Sequence, residues 1–265
     1  MRTLVHLSDL HFGHLDRAIL EPLRKAVAEI GPDLVIVSGD LTQRARPEEF
    51  EQARDFLQTL PGPQIVVPGN HDVPLHNLYA RFHLPLREYQ RFITDDLEPF
   101  YVDDEVAVLG INTARSLIWK SGRINHRQIG RIEDRFCAVR DVVKVLVTHH
   151  PFDLPDNYRP SDLVGRAHHA MVQIARCGID LLLAGHFHVS HAGPTALRYN
   201  IPGHSAIFVQ AGTMSTRGRG ESNSFNCIRI EKDRIVVERR TCEPGDTGFH
   251  VISEGSFRCT PSGWH

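Results

Sequence analysis

Five short clusters of carboxylate, carboxamide and imidazole groups recur along this chain, each at the end of an apolar run. They are Asp9 with His11, Asp40, Asn70 with His71 and Asp72, His149, and His186 with His188. The run Gln64-Ile65-Val66-Val67-Pro68, for example, leads directly into Gly69-Asn70-His71-Asp72, as a strand would that delivers polar groups to its own C-terminal end. Ligands of open α/β sheets bind beyond the carboxyl ends of the strands, so these are candidate site residues. A capped turn accounts for any one cluster, because Gly, Asn and Asp are turn formers. It does not account for five in series. Together they offer oxygen and imidazole without thiolate, which suits divalent Mn, Fe, Zn, Co or Ni and disfavours Cu(I) and iron–sulfur clusters. Seven such groups are more than one ordinary mononuclear site needs, whereas two cations about 3.5–4 Å apart with a shared carboxylate would use them all. Asp40, central in the order and alone on its strand end, is the expected bridge.

The elements that position these groups follow from periodicity. An apolar strand over residues 3–8 precedes Asp9, and Leu20, Leu23, Ala26, Val27 and Ile30 then recur at helical spacing up to Gly31-Pro32. A second strand, 33–38, delivers Asp40, and a helix over 47–60 follows, with Pro47 at its first position and Phe50, Ala53, Phe56 and Leu57 as its buried stripe. The third strand ends at Asn70. Three βα units argue for a parallel sheet with helices on its faces. The rhythm breaks over 73–98, where Leu78, Phe82, Leu86, Tyr89, Phe92 and Ile93 predict one or two helices outside any βαβ unit, a helical cap insertion over the strand ends. Further strands are expected at 100–102, 106–111, 142–147 and 179–184, with helices at 125–136 and 163–176. A C-terminal β-rich part over 195–252, with strands at 205–210, 225–230 and 234–239, is expected to form a second sheet stacked on the first. Residues 245–265 show no clear period, and the whole of 1–265 reads as a single domain.

Composition excludes several classes. A net charge of −2 and a pI of about 6.8 give no basic coat for nucleic acid, so a nucleic-acid partner is disfavoured. Cys137, Cys177, Cys227, Cys242 and Cys259 are scattered, odd in number and without a CxxC pair, so neither a disulfide framework nor a thiolate zinc site is expected. Cys137 and Cys177 fall on apolar helix faces, where packing is the default. A reducing cytoplasm fits that usage. No signal-peptide core opens the sequence, and no stretch approaches the roughly 18 apolar residues of a membrane span, so a soluble, non-exported protein is expected. The 17 histidines exceed what packing needs, and imidazole is the commonest metal ligand and acid–base group.

Taken in order, Asp9-x-His11, Gly39-Asp40, Gly69-Asn70-His71-Asp72, His149 and Gly185-His186-x-His188 resemble the five-block signature of the calcineurin-like metallophosphoesterase superfamily. Within it the Asp-x-His start, His149-His150-Pro151 and Gly-His-x-His look most like the bacterial class III cyclic-nucleotide phosphodiesterase branch. The resemblance implies a four-layer α/β/β/α sandwich with two stacked mixed β-sheets. It implies one divalent cation (Mn, Fe or Zn) on Asp9, His11, Asp40 and His188, and a second on Asp40, Asn70, His149 and His186. It favours His149 over the neighbouring His150, and it leaves His71 off the metals, facing the substrate phosphate, with Asp72 as its orienting partner. The implied activity is hydrolysis of a small phosphodiester, 3′,5′-cyclic nucleotides first, by a hydroxide bridging the cations. A nuclease, pyrophosphatase or phosphomonoesterase of the same superfamily is the alternative, and a non-catalytic metal-binding scaffold is the alternative of another class. Arg115 and Ser116, just past a strand end, are candidates for holding the phosphate or a base, although a surface ion pair is the better explanation of an Arg there. The basic segment 212–220 lines the site or is a loop beside it. A homodimer is the assembly to test.

Overall fold

The computed structural model describes residues 1–155, 158–216 and 220–265. Each early βα unit forms for a local reason. The strand β1 (Arg2–Leu7) alternates, with Val5 and Leu7 facing the helices while Leu4 and His6 face the other sheet. The helix α1 (Leu20–Ile30) stops at Gly31, whose φ of 58° closes the helix in the left-handed region that glycine enters at no steric cost. β2 (Leu34–Val37) is buried throughout. α2 (Pro47–Leu57) starts on Pro47, and the Glu49 side chain reaches back to accept from the Arg46 N–H, so one orphan donor of the first turn is satisfied. β3 (Gln64–Val66) completes a parallel β1–β2–β3 ladder.

The interrupted segment forms two short helices with different fates. In α4 (Arg87–Phe92), Tyr89 is fully buried, packs edge-to-face on Phe50 and donates to the Val66 carbonyl at 3.0 Å. This helix is therefore part of the core. In α3 (Leu78–His83), Leu78, Tyr79 and Phe82 are exposed.

The second sheet is built from the middle of the chain. β4 (Phe100–Val102), β5 (Val106–Ile111), β6 (Val143–Thr148), β7 (Leu181–Ala184), β8 (His191–Pro194) and β9 (Ile207–Gln210) lie in the order β4-β5-β6-β7-β9-β8. Its outer face carries α5 (His126–Phe136), capped by the Asn125 side chain, and α6 (Ala167–Arg176). Of the C-terminal strands expected in the second sheet, the one over 205–210 is there as β9, and the expectation is corrected for the rest. β10 (Asn223–Ile230), β11 (Arg234–Cys242), β12 (His250–Thr260) and β13 (Gly263–Trp264) extend the first sheet, in the order β13-β12-β11-β10-β1-β2-β3. β10 pairs antiparallel with β1, which converts a parallel edge into a mixed sheet and spends the free edge of β1. The aperiodic tail is thus largely strand.

Three cores follow from this topology. One lies between sheet one and α1, α2 and α4, one between sheet two and α5 and α6, and a third between the sheets, where Leu4, Ile36 and Val67 meet Val108, Val145 and Leu183. The result is the four-layer α/β/β/α sandwich. A second correction concerns the cysteines: Cys137 and Cys177, each closing the C-terminus of its helix, form a disulfide that links α5 to α6. The argument for a reducing cytoplasm rested on unpaired cysteines, and this bond removes it. No helix among the described residues is long and apolar enough to cross a membrane.

Candidate metal centre

All five clusters converge because both sheets aim their strand ends at one side of the sandwich. The loops after β1 and β2 continue to pair beyond the strands, with Asp9 N–H donating to the Gly39 carbonyl and His11 N–H to that of Asp40, both at 3.0 Å. In the other sheet Gly185 N–H donates to the His149 carbonyl at 3.1 Å. The two layers then meet, since His186 N–H donates to Asp9 Oδ2 at 2.9 Å and His149 Nδ1 lies 2.8 Å from the Ser38 carbonyl.

Two groups of donor atoms result. In the first, Asp9 Oδ1 is buried and accepts no hydrogen bond, yet lies 3.2 Å from His188 Nε2 and 3.6 Å from His11 Nε2. The two imidazole Nε2 atoms are 3.1 Å apart. In the second, His149 Nε2 lies 3.3 Å from Asp40 Oδ2, 3.2 Å from Asn70 Oδ1 and 3.3 Å from His186 Nδ1. Asp40 Oδ2 is also 3.8 Å from His11 Nε2, so it stands between the groups. Each aspartate commits its other oxygen to the frame: Asp9 Oδ2 accepts from Ser8 Oγ at 2.6 Å, and Asp40 Oδ1 from His71 N–H at 2.8 Å. Lone pairs held this close out of water repel one another unless a cation lies among them, and the oxygen and imidazole set matches a hard or borderline divalent ion. The residues present therefore fit the metals that the sequence implied.

Electrostatics agree. Burial would raise the Asp9 and Asp40 carboxyls, but the imidazoles around them, His188 and His11 for Asp9, His149 and His71 for Asp40, hold both well below the usual carboxylate range. Burial and the adjacent His149 push His186 down to about 3.

The local backbone is strained where the donors sit. Asp9, His11, Asp40, His186 and His188 all have φ between 49° and 80°, the left-handed region that side chains with a Cβ avoid. Such residues cost on the order of 1–3 kcal/mol each and persist where the surroundings over-determine them. The glycines before them serve close approach. A Cβ on Gly69 would stand 2.1 Å from Asp40 Oδ1, and one on Gly185 would stand 1.8 Å from Ser8 Oγ.

Other expected residues are placed differently. His71 Nδ1 meets the Gln43 carbonyl at 2.9 Å, which turns Nε2 outward. Asp72 is not its orienting partner. The Asp72 carboxylate accepts from the N–H groups of Leu41, Thr42 and Gly69 and from Thr42 Oγ1, tying the loops after β2 and β3 together. Burial and the charge of Asp40 raise it to about 6 against those four donors. His150 has its Nδ1 on Thr113 Oγ1, while its Nε2 is buried without a hydrogen-bond partner and groups with the donor atoms of His149 and His186. Arg115 is occupied by the carbonyls of Asn112 and Ala114 and by Gln128 Oε1, and Arg115 and Ser116 line a separate pocket beside α4 and not the cleft over the donors. In segment 212–220, Thr213 Oγ1 and Met214 N–H donate to the Asp9 carbonyl, and residues 217–219 lie outside the described residues.

A cleft of about 500 Å³ opens over the donors, with Asp40, Asn70, His71, His186 and His188 on its floor. Its walls come from Gln43, Val73, Leu75, Arg81, Trp119 and Lys120. Arg81, Trp119 and Lys120 carry no motif, and their approach joins α3 to the loop after β5, a contact no local pattern encodes.

The sequence profile of calcineurin-like phosphoesterases matches residues 2–190. The chain belongs to the calcineurin-like phosphoesterase family. A cAMP/cGMP dual specificity phosphodiesterase of Mycobacterium tuberculosis is 23% identical over 96% of this chain and 84% of its own length. A glycerophosphodiester phosphodiesterase, GpdQ, of Enterobacter lignolyticus is 35% identical over 80 residues, 26% of this chain and 29% of that protein. The chain thus spans under a third of the latter relative's length. Purple acid phosphatase PPD1 from yellow lupin seeds shares the fold, with a TM-score of 0.70 at 12% identity over 96% of this chain and 53% of that one.

Proposed function

We propose that this phosphoesterase hydrolyses small phosphodiesters at a two-metal centre, with 3′,5′-cyclic nucleotides as the first substrates to test. The observation that carries this reading is the pair of donor groups sharing Asp40 Oδ2 under a single cleft. One group, Asp9, His11, Asp40 and His188, and the other, Asp40, Asn70, His149 and His186, would each hold one divalent cation, Mn, Fe or Zn. Such cations supply Lewis acidity that makes water nucleophilic near neutral pH and neutralises phosphate oxygens. The protein's own contribution is positional. His71 is fixed through Nδ1 on the Gln43 carbonyl, so its Nε2 can face the phosphate and, when protonated, give a proton to the leaving alkoxide. Asp72 fixes the loop that carries it. The cAMP/cGMP relative supports a cyclic substrate, and the glycerophosphodiester relative supports a small diester more generally.

The test is a panel of cyclic nucleotides, bis-p-nitrophenyl phosphate and phosphomonoesters with added Mn²⁺, on wild type and His71→Ala. Diesters should be preferred, and the variant should keep its metal by elemental analysis while kcat falls about a hundredfold or more. Phosphomonoesters turning over faster would sink the reading, and loss of metal would place His71 among the ligands.

A further inference from the structure

The cleft wall contains an aromatic surface that the hydrolytic machinery leaves unused. Trp119 is 54% exposed, a large apolar ring open to solvent beside a buried polar floor. Arg81 lies over it, with the guanidinium carbon 4.2 Å from the ring centroid. That guanidinium is fixed, since Nε donates to the Ser116 carbonyl at 2.8 Å and Nη1 to that of Pro74 at 3.0 Å, and the residue is only 2% exposed. One face of the indole is thus covered by an immobilised cation, while over half of the residue stays open to solvent at the cleft. Pinning from behind removes rotamer freedom that a ligand would otherwise have to freeze.

We infer that Trp119, backed by Arg81, is a stacking platform for the base of the substrate, so the cleft selects diesters that carry a nucleobase. The inference rests on the phosphodiester reading above and narrows it. A flat π-face beside a phosphate site suits any base, because stacking tolerates every base and needs no hydrogen-bond readout. The remaining wall favours a nucleotide over an acyl chain: Gln43 and Lys120 are polar, and only Val73 and Leu75 are aliphatic. A volume of about 500 Å³ is in the range of small-ligand sites.

The chain has two tryptophans, and Trp264 is buried at 2% exposure, so ligand-dependent fluorescence reports chiefly on Trp119. With the Mn²⁺-loaded chain, 5′-AMP should quench emission and ribose 5-phosphate, which has the same phosphate without a base, should not. Trp119→Phe should remove the response. In steady-state assays, the ratio of kcat/KM for 3′,5′-cAMP to that for glycerophosphocholine, a diester without a ring, should fall about tenfold or more in Trp119→Ala and recover in Trp119→Phe. An equal response to AMP and ribose 5-phosphate, or a ratio unchanged in Trp119→Ala, overturns the inference. If wild type hydrolyses neither diester, the phosphodiester reading fails, and the fluorescence comparison still decides the role of Trp119.

Discussion

At the scale of single residues, the site is a set of unfavourable states held by their neighbours. Five of the candidate ligands occupy left-handed backbone, two carboxylates are buried, and burial lowers His11 and His186 while the charge of Asp40 raises His149 to about 9. His6, behind the donors, is the simplest case to measure. It is fully buried between the sheets with Nε2 2.9 Å from Ser38 Oγ, and burial lowers its pKa to about 3. The unfolded chain, with a histidine pKa of about 6.5, binds that proton first as the pH falls. The contribution of His6 is therefore complete above pH about 6.5 and is lost progressively down to pH about 3. Between pH 7 and 5, urea unfolding of wild type should lose about 2 kcal/mol more than His6→Gln. Equal losses would mean that His6 titrates alike in both states.

At the scale of elements, the placement of ligands was legible because each lies at the end of an apolar strand, where periodicity changes to polar residues within a few positions. The start of α2 at Pro47 and the end of α1 at Gly31 were legible for the same local reason. Sheet membership was not, because the partner of β10 is β1, more than 200 residues away, and nothing in either strand names the other. The disulfide was hidden likewise: two cysteines 40 residues apart meet only because α5 and α6 pack side by side on sheet two. That bond closes a long loop in the unfolded chain, which should be worth about 3–4 kcal/mol by loop entropy. Cys137→Ser with Cys177→Ser should lower unfolding stability by that order while sparing phosphodiester turnover, because the helix ends are not among the cleft residues. Thiol titration of the denatured, unreduced wild type should find three free cysteines, Cys227, Cys242 and Cys259. A count of five would disprove the bond.

At the scale of the whole molecule, the centre joins two layers that elsewhere meet through apolar packing and a few polar contacts, such as Arg2 with Asp103 and Asn226 Nδ2 donating to the Gln210 carbonyl. Asp9, His11, Asp40 and Asn70 hang from sheet one, and His149, His186 and His188 hang from sheet two. A cation bound in either group would touch side chains of both sheets, so its binding free energy should add to the stability of the sandwich as a unit. The expected increment is RT ln(1 + [metal]/Kd), about 2.7 kcal/mol at a hundredfold excess over Kd. Calorimetry should therefore show one transition that moves upward with Mn²⁺ and downward with chelator, and it should not split into two. Asp40→Ala discriminates the geometry, because Asp40 Oδ2 is the atom that stands between both groups. That variant should lose metal from both groups and most of the Mn²⁺-dependent shift together. Retention of one equivalent of metal, with about half the shift, would mean that the two groups bind independently and that Asp40 serves only one of them.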